Sequence, residues 1–99
     1  MKVKNMTSAR GNKIANQFII REEGRGALGN FIERKTFQSY QSIIAIVTIW
    51  KDGTDTELDI NKWDYSVTTG KYRNIFLGET KKETEVKIKS GEYKLADLN

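Results

Sequence analysis

The chain has 99 residues, 37% hydrophobic and 30% charged, with a net charge of +4, which suits one domain with one core and excludes two. It contains no cysteine and no histidine. That excludes disulfides, cysteine proteases, zinc hydrolases, His-dependent nucleases and serine triads on chemical grounds.

Residues 1–12 are polar, basic and aperiodic, and are expected to form an arm ahead of a single domain over residues 13–99. No apolar run near Met1 resembles a signal peptide. The longest apolar stretch, residues 43–50, is interrupted by Thr48 and too short to cross a bilayer. The expectation is a cytoplasmic protein with no membrane partner.

From Lys13, the pattern Ile14, Phe18, Ile19, Ile20 predicts a strand ending near Arg21. Gly24, Gly26 and Gly29 then make a loop, and residues 30–37 return as the second strand of a hairpin. Residues 43–50 are strongly β-branched and predict a central strand. Asp52-Gly53 is a preferred hairpin turn, so residues 56–60 should pair back as a fourth strand.

After Trp63 the period changes to that of a helix. Tyr65, Thr69, Tyr72 and Phe76, with Ile75 beside them, are expected on a buried face, while Lys71, Arg73 and Asn74 point to solvent. Ser66 suits the N-cap and Gly78 the C-terminal stop. Gly70 inside this helix costs about 1 kcal/mol against alanine, so another demand must favour it. Thr80 and Glu83 have capping-box spacing and predict a second helix to about Lys89, although residues 85–89 also alternate like a strand. The fold class is therefore α+β, a small antiparallel sheet of about four strands followed by one or two C-terminal helices.

The motifs that suggest chemistry are weak. Residues 24–29 match G-x-G-x-x-G, but a dinucleotide site needs a helix opening at the last glycine, and strand is expected there. Gly70-Lys71 lacks the upstream glycine and the following Ser or Thr of a phosphate loop. A calcium loop counted from Asp52 places Glu57 where glycine must turn the chain. Glu85-Val86-Lys87, with Asp64, has the form of a metal-dependent nuclease triplet, but too few carboxylates converge for two metals. No catalytic residue, metal ligand or cofactor is assigned, and the chain is expected not to be an enzyme.

Charge is segregated. Residues 1–21 carry Lys2, Lys4, Arg10, Lys13 and Arg21 and no acid, whereas residues 51–64 carry five acids against two lysines. One candidate site is basic and aromatic: Arg10, Lys13, Lys71 and Arg73 could contact phosphates while Tyr40, Tyr65 and Tyr72 could stack on bases, against which stands the expected burial of Tyr65 and Tyr72 on the helix face. The other is a protein-binding surface made of Asp52, Asp55, Glu57 and Asp59 or of Lys71, Arg73 and Asn74 on the exposed helix face.

Three segments, residues 8–13, 37–45 and 63–78, together with the tail from Lys82 to Tyr93, resemble a family of small uncharacterised proteins encoded by phages and mobile elements of Firmicutes. The S-Y-x-S-x-I-A and W-D-Y-S-x-T-T-G-K pieces carry the resemblance, and the glycine-rich stretch is longer here than the tight turn typical of that family. The family brings no activity to transfer. It implies a phage accessory protein that binds a host protein or nucleoprotein complex, with an anti-CRISPR inhibitor of a Cas effector as the specific form. A nucleic-acid-binding module is the alternative, and a metal-dependent nuclease the third.

Overall fold

The computed structural model describes residues 1–24 and 31–99. Six strands form one sheet in the order of the sequence: β1 (Lys2–Thr7), β2 (Lys13–Glu23), β3 (Phe31–Ser39), β4 (Ser42–Trp50), β5 (Gly53–Asp59) and β6 (Tyr93–Ala96). The first five pair antiparallel with their sequence neighbours, as short hairpins allow. β6 pairs parallel with β5, because the chain first crosses over through α1 (Val67–Leu77) and α2 (Lys81–Ser90). The α+β reading holds, with six strands where about four were expected.

Both additional strands lie at the edges. Residues expected as a basic arm form β1, in which Lys2, Val3 and Lys4 are exposed and pair with Arg21, Ile20 and Ile19. Lysines suit an edge strand because they resist pairing with another chain, and they also hide the hydrophobic alternation from which strands are read. β6 has only four residues, and its place is set by the crossover that delivers it. Residues 85–89 are helical despite their alternation: Thr80 accepts from Glu83 N, and Glu83 reaches back to Thr80 N, closing the capping box. The G-x-G-x-x-G stretch lies, from residue 25 on, outside the described residues.

Register fixes which side chains share a face. Ile19, Phe37, Ala45 and Leu58 are direct cross-strand neighbours, and Phe37, Ala45 and Leu58 are fully buried. The helices cover this face. Phe76 of α1 stacks on Phe37 with ring centroids 5.7 Å apart, while Tyr72, Leu77 and Ile88 pack against the same cluster. Among the described residues, no helix is long and apolar enough to cross a membrane.

The crossover is tied down by one carboxylate. Glu79, between the helices, accepts from Lys87 Nζ at 2.7 Å, from the Tyr93 hydroxyl at 2.8 Å and from Thr84 Oγ1 at 2.6 Å. It thereby joins the α1–α2 junction, α2 and β6. Burial pushes the Glu79 carboxyl up, but the bonds from Lys87, Thr84 and Tyr93 more than offset this, so its pKa lies below the ordinary 4.5. The Tyr93 hydroxyl is pushed up to about 12 by burial and by its bond to this carboxylate.

A carboxylate whose pKa is lower in the folded state contributes stability that is complete above its unfolded pKa and is lost as pH falls through the folded value. Glu79→Gln should therefore lower the melting temperature at pH 7, and that deficit should shrink steadily from about pH 4.5 downward. Glu79→Ala leaves the Thr84 and Tyr93 hydroxyls without their acceptor and should lower melting at pH 7 by roughly 10 °C. Thermal denaturation followed by circular dichroism across pH 3–7 (the approximate carboxylate range) measures both effects.

Candidate functional site

The antiparallel meander brings three connections to one end of the sheet: the β1–β2 turn, the β3–β4 turn and the segment from β5 into α1. These are the segments that carry the sequence motifs around Arg10, Tyr40 and Tyr65. The β4–β5 turn, with Asp52, lies at the opposite end.

Between β1 and β2 the pairing jumps from Asn5–Phe18 to Thr7–Lys13, so β2 carries extra residues around Asn16. Asn16 adopts φ +64° and Tyr40 φ +56°, both left-handed. The Tyr40 N–H donates to the Asn16 carbonyl at 2.6 Å, and Gln38 Nε2 donates to the Tyr40 carbonyl at 2.8 Å. Asparagine tolerates this conformation, whereas tyrosine is held there at a cost of about 1 kcal/mol or more. Burial does not repay that cost, because Tyr40 is 54% exposed. Tyr40 therefore does not close the core.

The neighbouring Ser39 is buried and shares a 3.1 Å hydroxyl bond with Thr69, in the first turn of α1. Ser66 caps that turn by accepting from Thr69 N at 3.1 Å, and Gly78 closes the helix in the left-handed region, both as expected. Lys62 Nζ donates to Ser42 Oγ at 2.7 Å, a second link between the β3–β4 turn and the segment before α1.

The buried face of α1 differs from the expected one. Thr69, Gly70 and Arg73 are buried, while Tyr65 is 49% exposed and Ile75 55%. Arg73, expected in solvent, is 1% exposed. Its guanidinium donates to the Trp63 carbonyl and, at 2.9 Å, to Asn74 Oδ1; it lies 5.2 Å from the Trp63 ring centroid and 3.5 Å from an Asp64 carboxylate oxygen. The indole face, the carbonyl and the carboxylate replace water around the two terminal nitrogens, while the buried Nε has no hydrogen-bond partner, and with this compensation the cation occupies a core position of the helix.

An open groove of about 820 Å³ lies along this helix, lined among others by Tyr65, Val67, Gly70, Lys71, Ile75 and Lys81. Val67 is 92% exposed, an unusual setting for a β-branched apolar residue in a first helical turn. A Cβ at Gly70 would lie 3.6 Å from both terminal guanidinium nitrogens of Arg73, which is ordinary contact. No clash requires glycine there, and its φ is ordinary; what it leaves open is the floor of the groove.

The sequence-derived site residues fall into separate groups. Arg10 and Lys13 are exposed at the β1–β2 turn, at the same end as Tyr40. Lys71 is exposed on α1, with Nζ 5.5 Å from the Tyr72 ring centroid, and Asn74 is half-buried against Arg73. Arg73 lines the inner wall of the groove but is almost fully buried, so it is not the exposed cation that was expected.

In the acidic segment, Asp52 is exposed, Asp55 accepts from Trp50 Nε1 at 2.8 Å, and Glu57 is half-buried. Asp59 is 1% exposed and accepts from Asn61 N at 3.1 Å and Leu98 N at 2.9 Å. It pins the end of β5 to the C-terminal segment and offers nothing to a partner. Burial raises the pKa of its carboxyl and these bonds more than offset it, leaving it below its ordinary value. The nuclease triplet is divided: Asp64 pairs with Arg73 and with Lys81 at 2.8 Å, Lys87 pairs with Glu79, and Glu85 is exposed.

Sequence reasoning did not single out Val67, and it set Tyr65 and Ile75 on the buried face, with Tyr65 weighed also as a stacking residue. The signal that could have found Val67 is its place beside the N-cap, about half a turn from Phe76.

The chain matches, over residues 1–93, the model of a family described as a family of unknown function (DUF8033), and it belongs to that family. No curated protein and no solved structure is significantly similar to it.

Two substitutions separate stability from use of this site. Gly70→Ala gains helix propensity and meets only ordinary contact, so it should stabilise the fold by about 0.5–1 kcal/mol. Tyr40→Gly relieves the left-handed strain and should be neutral or stabilising. Urea denaturation of both variants measures the two effects, and a loss in either would assign that residue to the fold.

Proposed function

We propose that this chain, a member of a family of unknown function, is a non-catalytic accessory protein that binds a host protein or nucleoprotein complex through the α1 groove and the adjoining Tyr40 turn. The observation that carries the reading is the exposure of Val67, Ile75 and Tyr65 around one open groove. Protein interfaces concentrate their energy in such aromatic and apolar anchors surrounded by polar residues. Lys71 and Lys81 on the rim favour a partner segment that combines apolar side chains with acidic ones, while Asp64 is already neutralised by Arg73 and Lys81.

The resemblance to phage and mobile-element proteins gives the specific form: an inhibitor that occupies a defence complex such as a Cas effector. Gly70 and Tyr40 fit this reading, since each departs from what the fold alone favours. The acidic β4–β5 turn, with Asp52 and Asp55, would be a separate and weaker contact at the other end of the sheet.

A second reading rests on different residues. Tyr40, Arg10, Lys13 and Lys71 are all exposed, which suits a single-stranded nucleic acid stacked on Tyr40 with phosphates on the three cations. It requires binding that weakens with salt, with a log–log slope of about −2 for three neutralised phosphates.

The test is affinity capture from nuclease-treated bacterial lysate, using the wild-type chain and a Val67→Asp/Ile75→Asp variant. Both positions are exposed, so the variant should keep its circular dichroism spectrum. A discrete host complex held by the wild type and lost by the variant is the expected result. Equal retention by both would reject the groove, and capture that requires intact nucleic acid would transfer the function to the second reading.

A further inference from the structure

The helices cover only one face of the sheet, the face that carries Phe37, Ala45 and Leu58. Cross-strand register assigns the other face as firmly. Val3, Ile20, Thr36, Ile46, Glu57 and Lys94 form one continuous row across all six strands. Phe18, Gln38 and Ile43 form the next row toward the Tyr40 end. Glu22, Arg34, Thr48 and Asp55 form the row on the other side, and Trp50 follows beyond it on β4.

This face is apolar at its centre, yet Phe18, Ile20, Ile43 and Ile46 are only partly buried and Val3 is exposed. None of them belongs to the packed core cluster. Thr36 and Thr48 are nearly buried between them, which leaves a closely set surface of side chains. Among the described residues, neither helix packs on this face.

We propose that this uncovered face, centred on Ile20 and Ile46, is the interface through which two copies of the chain associate face to face.

Charge decides the class of partner. Among the described residues this face carries three carboxylates against two cations: Glu22 stands opposite Arg34, Glu57 beside Lys94, and Asp55 accepts from Trp50. A face with an apolar centre and a small net negative charge gives a phosphate backbone little to hold and an anionic membrane no attraction, but it resembles the interfaces of stable homodimers. Symmetry favours a second copy: an identical sheet has the same twist, so two copies can meet in the aligned packing of sheets, and a two-fold axis makes one patch its own complement.

Six strands at about 4.8 Å spacing and about five residues along each give a flat footprint of roughly 25 by 17 Å, about half the ~800 Å² per partner of a standard interface before side-chain relief is added, which places the contact among the smaller specific interfaces. The α1 groove lies on the opposite side of the sheet, so a dimer built this way would present two grooves facing outward, independently of what those grooves bind.

Sedimentation velocity on the full chain across the micromolar range reads the outcome. The wild type should sediment at twice the 11.4 kDa chain mass. Ile20→Arg and Ile46→Arg should each raise the dimer dissociation constant at least about 30-fold. Val3→Arg, on the exposed edge strand where folding is not at risk, should weaken it in the same direction. Val67→Asp, on the groove side, should leave the dimer intact. A wild-type monomer throughout that range, or a dimer that survives both isoleucine changes, would overturn the assignment. A dimer lost only on Val67→Asp would place the contact on α1 and overturn it equally.

Discussion

The burial of the Arg73 guanidinium sets the geometry on which the candidate site depends. An arginine that is 1% exposed is tolerable only when its desolvation is offset. Here the offset comes from neighbours that precede it in the chain: the Trp63 ring and carbonyl and the Asp64 carboxylate, with Asn74 beside it. The same contacts fix the segment before α1 against the helix. With Arg73 turned inward, Ile75 must turn outward, because it lies about half a turn away, while Val67 lies about half a turn from the core-facing Phe76. The Ile75 side of the groove is therefore a consequence of burying this cation. Replacing Arg73 by an apolar residue could preserve the volume but would release the loop that forms one wall.

Polar satisfaction is used twice more where an apolar contact would have served. The Ser39–Thr69 hydroxyl pair joins β3 to α1, and the Glu79 carboxylate joins α2 to β6. The first links elements distant in sequence, the second links consecutive ones, and each is directional, whereas packing of Phe76 on Phe37 tolerates some sliding. The parallel β6 depends most on such links, since it has four residues and one sheet neighbour. Its register follows from where the Tyr93 hydroxyl finds its acceptor.

How far the sequence carries the structure depends on whether a signal is local. The Ser66 cap, the Thr80–Glu83 capping box, the Gly78 stop and the β-branched run of β4 act within a few residues of themselves, and all are legible. β1 is illegible because an edge strand protected by lysines lacks alternation, and β6 because its pairing depends on a crossover. The α1 face is legible in part: Thr69, Tyr72 and Phe76 do face the core, but Arg73 is misplaced because periodicity treats arginine as polar and has no means of seeing Trp63 and Asp64 ten and nine residues earlier. Asp59 is misread in the same way: its partner N–H on Leu98 is 39 residues distant, so the charge run looks like a solvated surface. The Tyr40 and Gly70 anomalies were half legible, since glycine inside a helix is visible at once, while a left-handed tyrosine is not.

The two faces of the sheet place different demands on one set of strands. On the helix side, Phe37, Ala45 and Leu58 alternate with residues of the other face, and the strands pair through β4, the most apolar of them. A sheet with one solvated face should read as apolar inward and polar outward. β4 instead carries Ile43 and Ile46 outward beside Ala45 inward, and β2 carries Phe18 and Ile20 outward beside Ile19 inward. That run of apolar residues is the pattern of a strand covered on both faces, where period-2 alternation is no longer required. It is the reason β4 reads as a central strand from the sequence, and among the described residues only one of its two faces has a cover.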